Sequence, residues 1–146
     1  MPTYIVRSSN IKFSQKRKNE IAKEITQTHN KITGANSYFA QVIFDNNKQN
    51  NHFMGGKIVK DQQIFLYGHI RAGRTNKIKN QLIKTLRNAI IKKSSIKKFN
   101  VWVYLLDLPP AQMIEYGEIL PKSGKEKKWF NSLSKSLQFK LKNIDK

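Results

Sequence analysis

The sequence predicts an α+β fold: two consecutive β-α-β units that build a four-stranded sheet with two helices on one face. Three observations carry this. The chain falls into two similar halves, and an offset of 61 residues overlays Tyr4 on Phe65, Ile25 on Leu86 and Val42 on Val103. Each half reads strand, helix, strand. The connection within each half is long enough for a parallel, right-handed crossover.

The elements follow in order. Tyr4-Ile5-Val6 reads as a short apolar strand. A helix runs from Ser14 to Thr33, with Ile21, Ile25, His29 and Ile32 on one stripe and Gly34 as its C-cap. Tyr38 to Phe44 is the second strand, followed by an Asn/Gly-rich loop from Asn46 to Gly56. The pattern then restarts. Ile64 to Tyr67 is a strand. Thr75 is the N-cap of a helix that aligns Ile78, Leu82, Leu86, Ala89 and Ile90. Val101 to Leu106 is the matching strand. Pro109 to Leu120 reads as a short helical turn, opened by Pro-Pro and closed by Gly117. From Lys122 onward, Trp129, Phe130, Leu133 and Leu137 recur at helical spacing in an amphipathic tail. The division is one domain over 1–146, with pseudo-repeats 1–60 and 61–120 and a tail 121–146. The second face of such a sheet lacks cover within the chain, and self-association supplies it.

Composition narrows the function classes. The chain has 146 residues and no cysteine, so disulfides and thiolate chemistry are excluded. His29, His52 and His69 have no ligand spacing, so no metal is expected. No signal peptide or membrane span is read, and the expected compartment is cytoplasmic. The net charge is +19, yet only five of 28 basic residues are arginine. The Lys/Asn/Ile bias is what an AT-rich genome writes on any solvated surface. The charge also admits an alternative in which the scaffold binds nucleic acid or another polyanion without catalysis. Either way the expected ligand is an anion.

Six residues have chemical potential. Pro2 would carry a secondary amine at the chain terminus once Met1 is removed. α-Amino groups titrate near neutrality and can be tuned to give or take protons. Arg71 and Arg74 flank a short turn beside the Thr75 helix start, where bidentate guanidinium donors and the helix terminus both favour a carboxylate. His29 lies on an apolar helix stripe, where a core histidine with one hydrogen bond is the plain alternative. Tyr104 shares a strand face with Trp102 and Leu106, as a core or subunit-packing tyrosine would. Glu115 sits in the apolar stretch Gln112-Met113-Ile114-Glu115-Tyr116-Gly117, where a buried carboxylate needs a partner or a task.

Together Pro2, His29, Arg71, Arg74, Tyr104 and Glu115 resemble the tautomerase superfamily, and within it the cis-3-chloroacrylic acid dehalogenase group. The likeness extends through Thr28-His29 to Thr33-Gly34, Phe39 to Val42, Phe53 to Gly56, Gly68 to Arg74, Trp102 to Pro110, Gln112 to Gly117, Leu120-Pro121 and Trp129-Phe130. Ala35 and Phe39 depart from it, standing where the dehalogenase group has threonine and leucine. The resemblance implies the tautomerase fold, a homotrimer, no metal and no cofactor. It implies a small anionic carboxylate as substrate. Pro2 would move a proton at the carbon beside the carboxylate. Arg71 and Arg74, with His29, would bind that carboxylate. Glu115, assisted by Tyr104, would activate water.

Overall fold

In a computed structural model of the protein, residues 2–144 are described. Met1, Asp145 and Lys146, which the domain and tail expectations include, lie outside them. The first unit is β1 (Thr3–Ser9), α1 (Gln15–Thr33) and β2 (Gln41–Asn46), followed by a hairpin of β3 (Phe53–Met54) and β4 (Lys57–Ile58). The second is β5 (Gln63–Arg71), α2 (Asn76–Ser94) and β6 (Val101–Leu108), followed by a hairpin of β7 (Ile114–Glu115) and β8 (Glu118–Ile119). The tail forms α3 (Glu126–Ser132) and α4 (Lys135–Lys142).

The four long strands make one mixed sheet in the order β2-β1-β5-β6. Each β-α-β unit pairs its strands in parallel, and β1 meets β5 antiparallel at the centre. Both helices begin on a side-chain cap. Ser14 accepts from the Arg17 amide, and Thr75 accepts from the Ile78 amide. Both end on a left-handed residue, Gly34 at φ 71° and Ser95 at φ 62°. Their buried stripes pair residue for residue at the same offset: Ile21 with Leu82, Ile25 with Leu86, Thr28 with Ala89, His29 with Ile90.

The central strands break that offset. Tyr4 pairs with Val42, and Leu66 pairs with Val103, so Tyr4 corresponds to Leu66 rather than to Phe65. The slip of one residue matters because strand side chains alternate faces. Tyr4, Val6, Ile64, Leu66 and Ile70 turn toward the helices and are buried, whereas Phe65 is only partly buried. Each fully buried aliphatic in this layer contributes about 1.5–3 kcal/mol.

Other expectations are corrected. Tyr38 and Phe39 belong to a 3₁₀ turn (Ser37–Phe39), so β2 starts only at Gln41. Proline does open a 3₁₀ turn at Pro110–Gln112, but Gly117 closes no helix. Tyr116 and Gly117 are both left-handed, at φ 56° and 84°, and form the two-residue tip of the β7–β8 hairpin. The loop expected from Asn46 to Gly56 holds most of the matching β3–β4 hairpin. The tail bends at Leu133 and Ser134, where the Ser134 hydroxyl caps α4. It packs on its own domain, through Trp129, Leu133 and Leu141 against Phe39 and Leu120.

The sheet face away from the helices carries Ile43, Trp102, Tyr104 and Leu106, each more than 40% exposed in the single chain. On the helical side the Tyr4 ring crosses directly over Gly68, its cross-strand partner. A Cβ at Gly68 would lie 2.5 Å from Tyr4 Cε1 and 3.1 Å from Leu105 Cδ2. Gly68→Ala is therefore expected to destabilise the fold by about 1–3 kcal/mol through overpacking. Urea unfolding of the two proteins measures it, and an unchanged midpoint would contradict the packing described.

Candidate active site

The amino end of β1, the carboxyl end of β5 and the end of α1 converge beneath the tail. Pro2 is buried there, and its carbonyl accepts from the Gln41 amide at 3.0 Å. From α1, His29 points into the core with 1% exposure. Its Nδ1 lies 2.7 Å from the Tyr4 hydroxyl, two residues along from Pro2. Its Nε2 is buried without a hydrogen-bond partner among the described residues. Burial, then the nearby Arg74 and the amino-terminal charge, lower the His29 pKa to about 3. The imidazole is therefore neutral near pH 7, with Nδ1 engaged by Tyr4 and Nε2 available. Burial raises the Tyr4 pKa, with Arg74 opposing, so its hydroxyl stays protonated.

Arg71, the last residue of β5, is 6% exposed. It donates from Nη1 to the Pro121 carbonyl at 2.8 Å and from Nη2 to the Glu126 carboxylate. Its Nε is buried without a partner among the described residues. Arg74 is half-buried and donates from Nη1 to the Arg71 carbonyl at 2.7 Å. Burial and then the Arg71 charge lower its pKa. Both arginines line a cleft of about 410 Å³ between the end of α1, the turn before α2 and the tail. Ala35 and Phe39, the two departures from the dehalogenase pattern, line it as well.

Glu115 is half-buried on β7 and lines a second cavity of about 240 Å³ with Thr3, Phe39 and Gln41. Phe39 is common to both spaces. Burial raises the Glu115 pKa, while the amino-terminal charge and Arg71 oppose it. Pro2, His29, Arg71, Arg74 and Glu115 are thus gathered at one end of the sheet. Tyr104 is not gathered with them. It is 51% exposed on the open face, with its ring edge-on to Phe65 at 4.9 Å.

Two residues of this region were not singled out in the sequence. Tyr4 had a signal: an aromatic two residues from Pro2, on the strand face turned inward. Glu126 had only its rarity, as one of nine acidic residues in a chain with 28 basic ones. Among the described residues no group of three His, Asp or Glu could hold a metal ion. No described helix is long and apolar enough to cross a membrane.

Comparison with known proteins identifies the class. Residues 1–133 match the tautomerase family described as "Putative oxalocrotonate tautomerase enzyme", and the chain belongs to that family. Among solved structures, it is similar to N1, a member of the cis-3-chloroacrylic acid dehalogenase family. The two are 32% identical over 97% of this chain and 99% of that one, with a TM-score of 0.92. A fused 4-OT solved as a symmetric trimer shares the fold at 19% identity, with TM-score 0.73 over 81% of this chain and 94% of that one. Pt0534, solved after inactivation by 2-oxo-3-pentynoate, shares it at 20% identity, with TM-score 0.73 over 81% and 94%. None of the curated proteins matches the chain.

The Tyr4–His29 pair makes two outcomes testable. Tyr4→Phe leaves buried Nδ1 unpartnered and should cost about 1–3 kcal/mol in a denaturation experiment. The second concerns pH. The unfolded histidine takes up a proton below its ordinary value of 6.5, while folded His29 does so only near 3. Stability from this group is therefore complete above pH 6.5 and falls as the pH drops toward 3, by about 1.4 kcal/mol per unit. The profile of His29→Gln should be flatter between pH 6 and 4 by about that slope. Parallel profiles would rule out a buried neutral His29.

Proposed function

We propose that the protein is an enzyme using the amine of Pro2 as acid or base on small unsaturated carboxylates. The reaction is hydration or hydrolytic dehalogenation, with keto–enol tautomerisation as a side activity. One juxtaposition carries the reading: buried Pro2 leads into β1, whose Thr3 pairs with His69 two residues before Arg71, and the half-buried Glu115 feels both the amino-terminal charge and Arg71. Kinship with the cis-3-chloroacrylic acid dehalogenase family, through N1, supports it.

The chemistry follows from charge. Adding water across a carbon–carbon multiple bond conjugated to a carboxylate drives electron density onto the carboxylate. The arginines and the Nε2–H of neutral His29 meet that charge as it develops. Glu115 takes a proton from water, the hydroxyl bonds to the far carbon, and the Pro2 ammonium delivers a proton to the carbon beside the carboxylate. If the attacked carbon bears a halogen, the adduct collapses to an aldehyde with loss of halide and a proton. Tyr104 lies on the open face, so in this scheme it assists Glu115 across a subunit boundary. A homotrimer that covers the open faces would supply that boundary.

The decisive experiment pairs intact mass with kinetics on untagged protein. The mass should correspond to a chain beginning at Pro2. Turnover of haloacrylates, acetylenic acids or phenylenolpyruvate should fall by at least about 100-fold in Pro2→Ala, the usual scale for losing an acid–base group. Retained Met1, or turnover unchanged in Pro2→Ala, would refute the mechanism.

A further inference from the structure

The two long helices present one solvent-facing pattern twice. At the 61-residue offset that aligns their buried stripes, Lys16 falls on Lys77, Lys23 on Lys84 and Lys31 on Lys92, with Gln27 on Asn88 before the last pair. All eight residues are exposed. Their spacing keeps each row on one face of its helix, opposite the buried stripe. We infer that the two lysine rows form a binding surface for duplex nucleic acid, independent of sequence and separate from the site described above. Composition explains why lysine is abundant, but not why it is aligned and left unpaired here. The two acidic residues of α1 are already taken, Glu20 by Arg17 at 2.9 Å and Glu24 by Lys93 at 3.5 Å. Helix α2 carries no acidic residue. None of the six lysines has a carboxylate partner among the described residues.

The geometry favours a duplex. Strands β1 and β5 are antiparallel, so the helices that follow them lie side by side and run in opposite directions. Each lysine row extends along its helix for about 22 Å. Axes of packed helices lie about 8–10 Å apart. The phosphate rows that border a major groove are antiparallel as well, at a groove width of about 12 Å. Flexible lysine stems span the difference, and a lysine meets a phosphate as a point charge. Gln27 and Asn88 add neutral donors of the kind that bond phosphate oxygens. An anionic bilayer fits this face less well. Among the described residues, neither helix exposes a large apolar side chain, so the face has nothing to insert between lipids. A homotrimer that covers the open sheet faces would leave this layer turned outward.

The test is fluorescence anisotropy of a labelled, mixed-sequence DNA duplex, with folding checked by circular dichroism. With six phosphate contacts, the affinity of wild type should fall by about 10³-fold between about 50 and 200 mM salt. Lys16→Gln/Lys23→Gln/Lys31→Gln and Lys77→Gln/Lys84→Gln/Lys92→Gln should each weaken binding at the low-salt end by at least about 30-fold. Each should also reduce the slope of log affinity against log salt by about three. Lys122→Gln/Lys127→Gln/Lys128→Gln, which removes the same charge from exposed positions of the tail, should stay within about threefold of wild type. An equal loss in the tail variant would show that net charge, rather than this face, holds the duplex, and would overturn the inference. A loss confined to one helix would overturn the pairing of the rows. No binding by folded wild type at about 50 mM salt would overturn it outright. So would wild type that sediments with vesicles of phosphatidylserine and phosphatidylcholine but leaves the duplex free. Both helix variants keep Pro2, the arginine turn and Glu115, so the outcome is independent of the enzymatic reading.

Discussion

The Tyr4–His29 hydrogen bond is the interaction around which the rest of the site is built. It joins the central strand to the first helix through a 2.7 Å contact in the middle of the core. The bond forms because Gly68 leaves room for the Tyr4 ring on the neighbouring strand. In turn it fixes Pro2, since Pro2 and Tyr4 are two residues apart on one extended segment. It also fixes the histidine ring, whose Nδ1 is occupied and whose Nε2 is left over. A polar pair this deeply buried stabilises the fold only while both members keep their partner.

The site lies at the seam between two apolar clusters. The larger fills the space between sheet and helices and holds Tyr4, Ile25, Leu66 and Leu86. The smaller is made by the tail on Phe39 and Leu120. Phe39 belongs to the second cluster and lines both cavities, so the tail's packing and the shape of the cleft are one problem. The indole of Trp129 donates to the Ile119 carbonyl at 2.9 Å, which ties the tail to the hairpin bearing Glu115. The tail is therefore structural and chemical at once: its apolar face closes the small core and its Glu126 pairs with Arg71.

Charge shows the same separation of background from site. The surface is strongly basic, with six basic and no acidic residues on α2 alone. Such a field draws anions in without choosing among them. At the cleft itself, Arg71, Arg74 and Glu126 come together, and charges at such range interact far more strongly than the diffuse surface field does.

Periodicity, caps and the internal repeat determined the strand–helix–strand order, both limits of the first long helix, the start of the second and the sheet with one covered face. These are local properties, written in apolar spacing and in Ser14, Gly34 and Thr75. The gathering of Pro2, His29, Arg71, Arg74 and Glu115 was legible as a resemblance to a family. Three things only the tertiary structure decided. The slip in the central strand pair turns Tyr4 inward and Phe65 outward, because register depends on pairing and a period of two reverses faces with each residue. Tyr104 stands apart from the other five because alternation along β6 turns Val103 to the core and Tyr104 to the open sheet face. Glu126 reaches Arg71 from 55 residues away, a contact that no sequence spacing encodes.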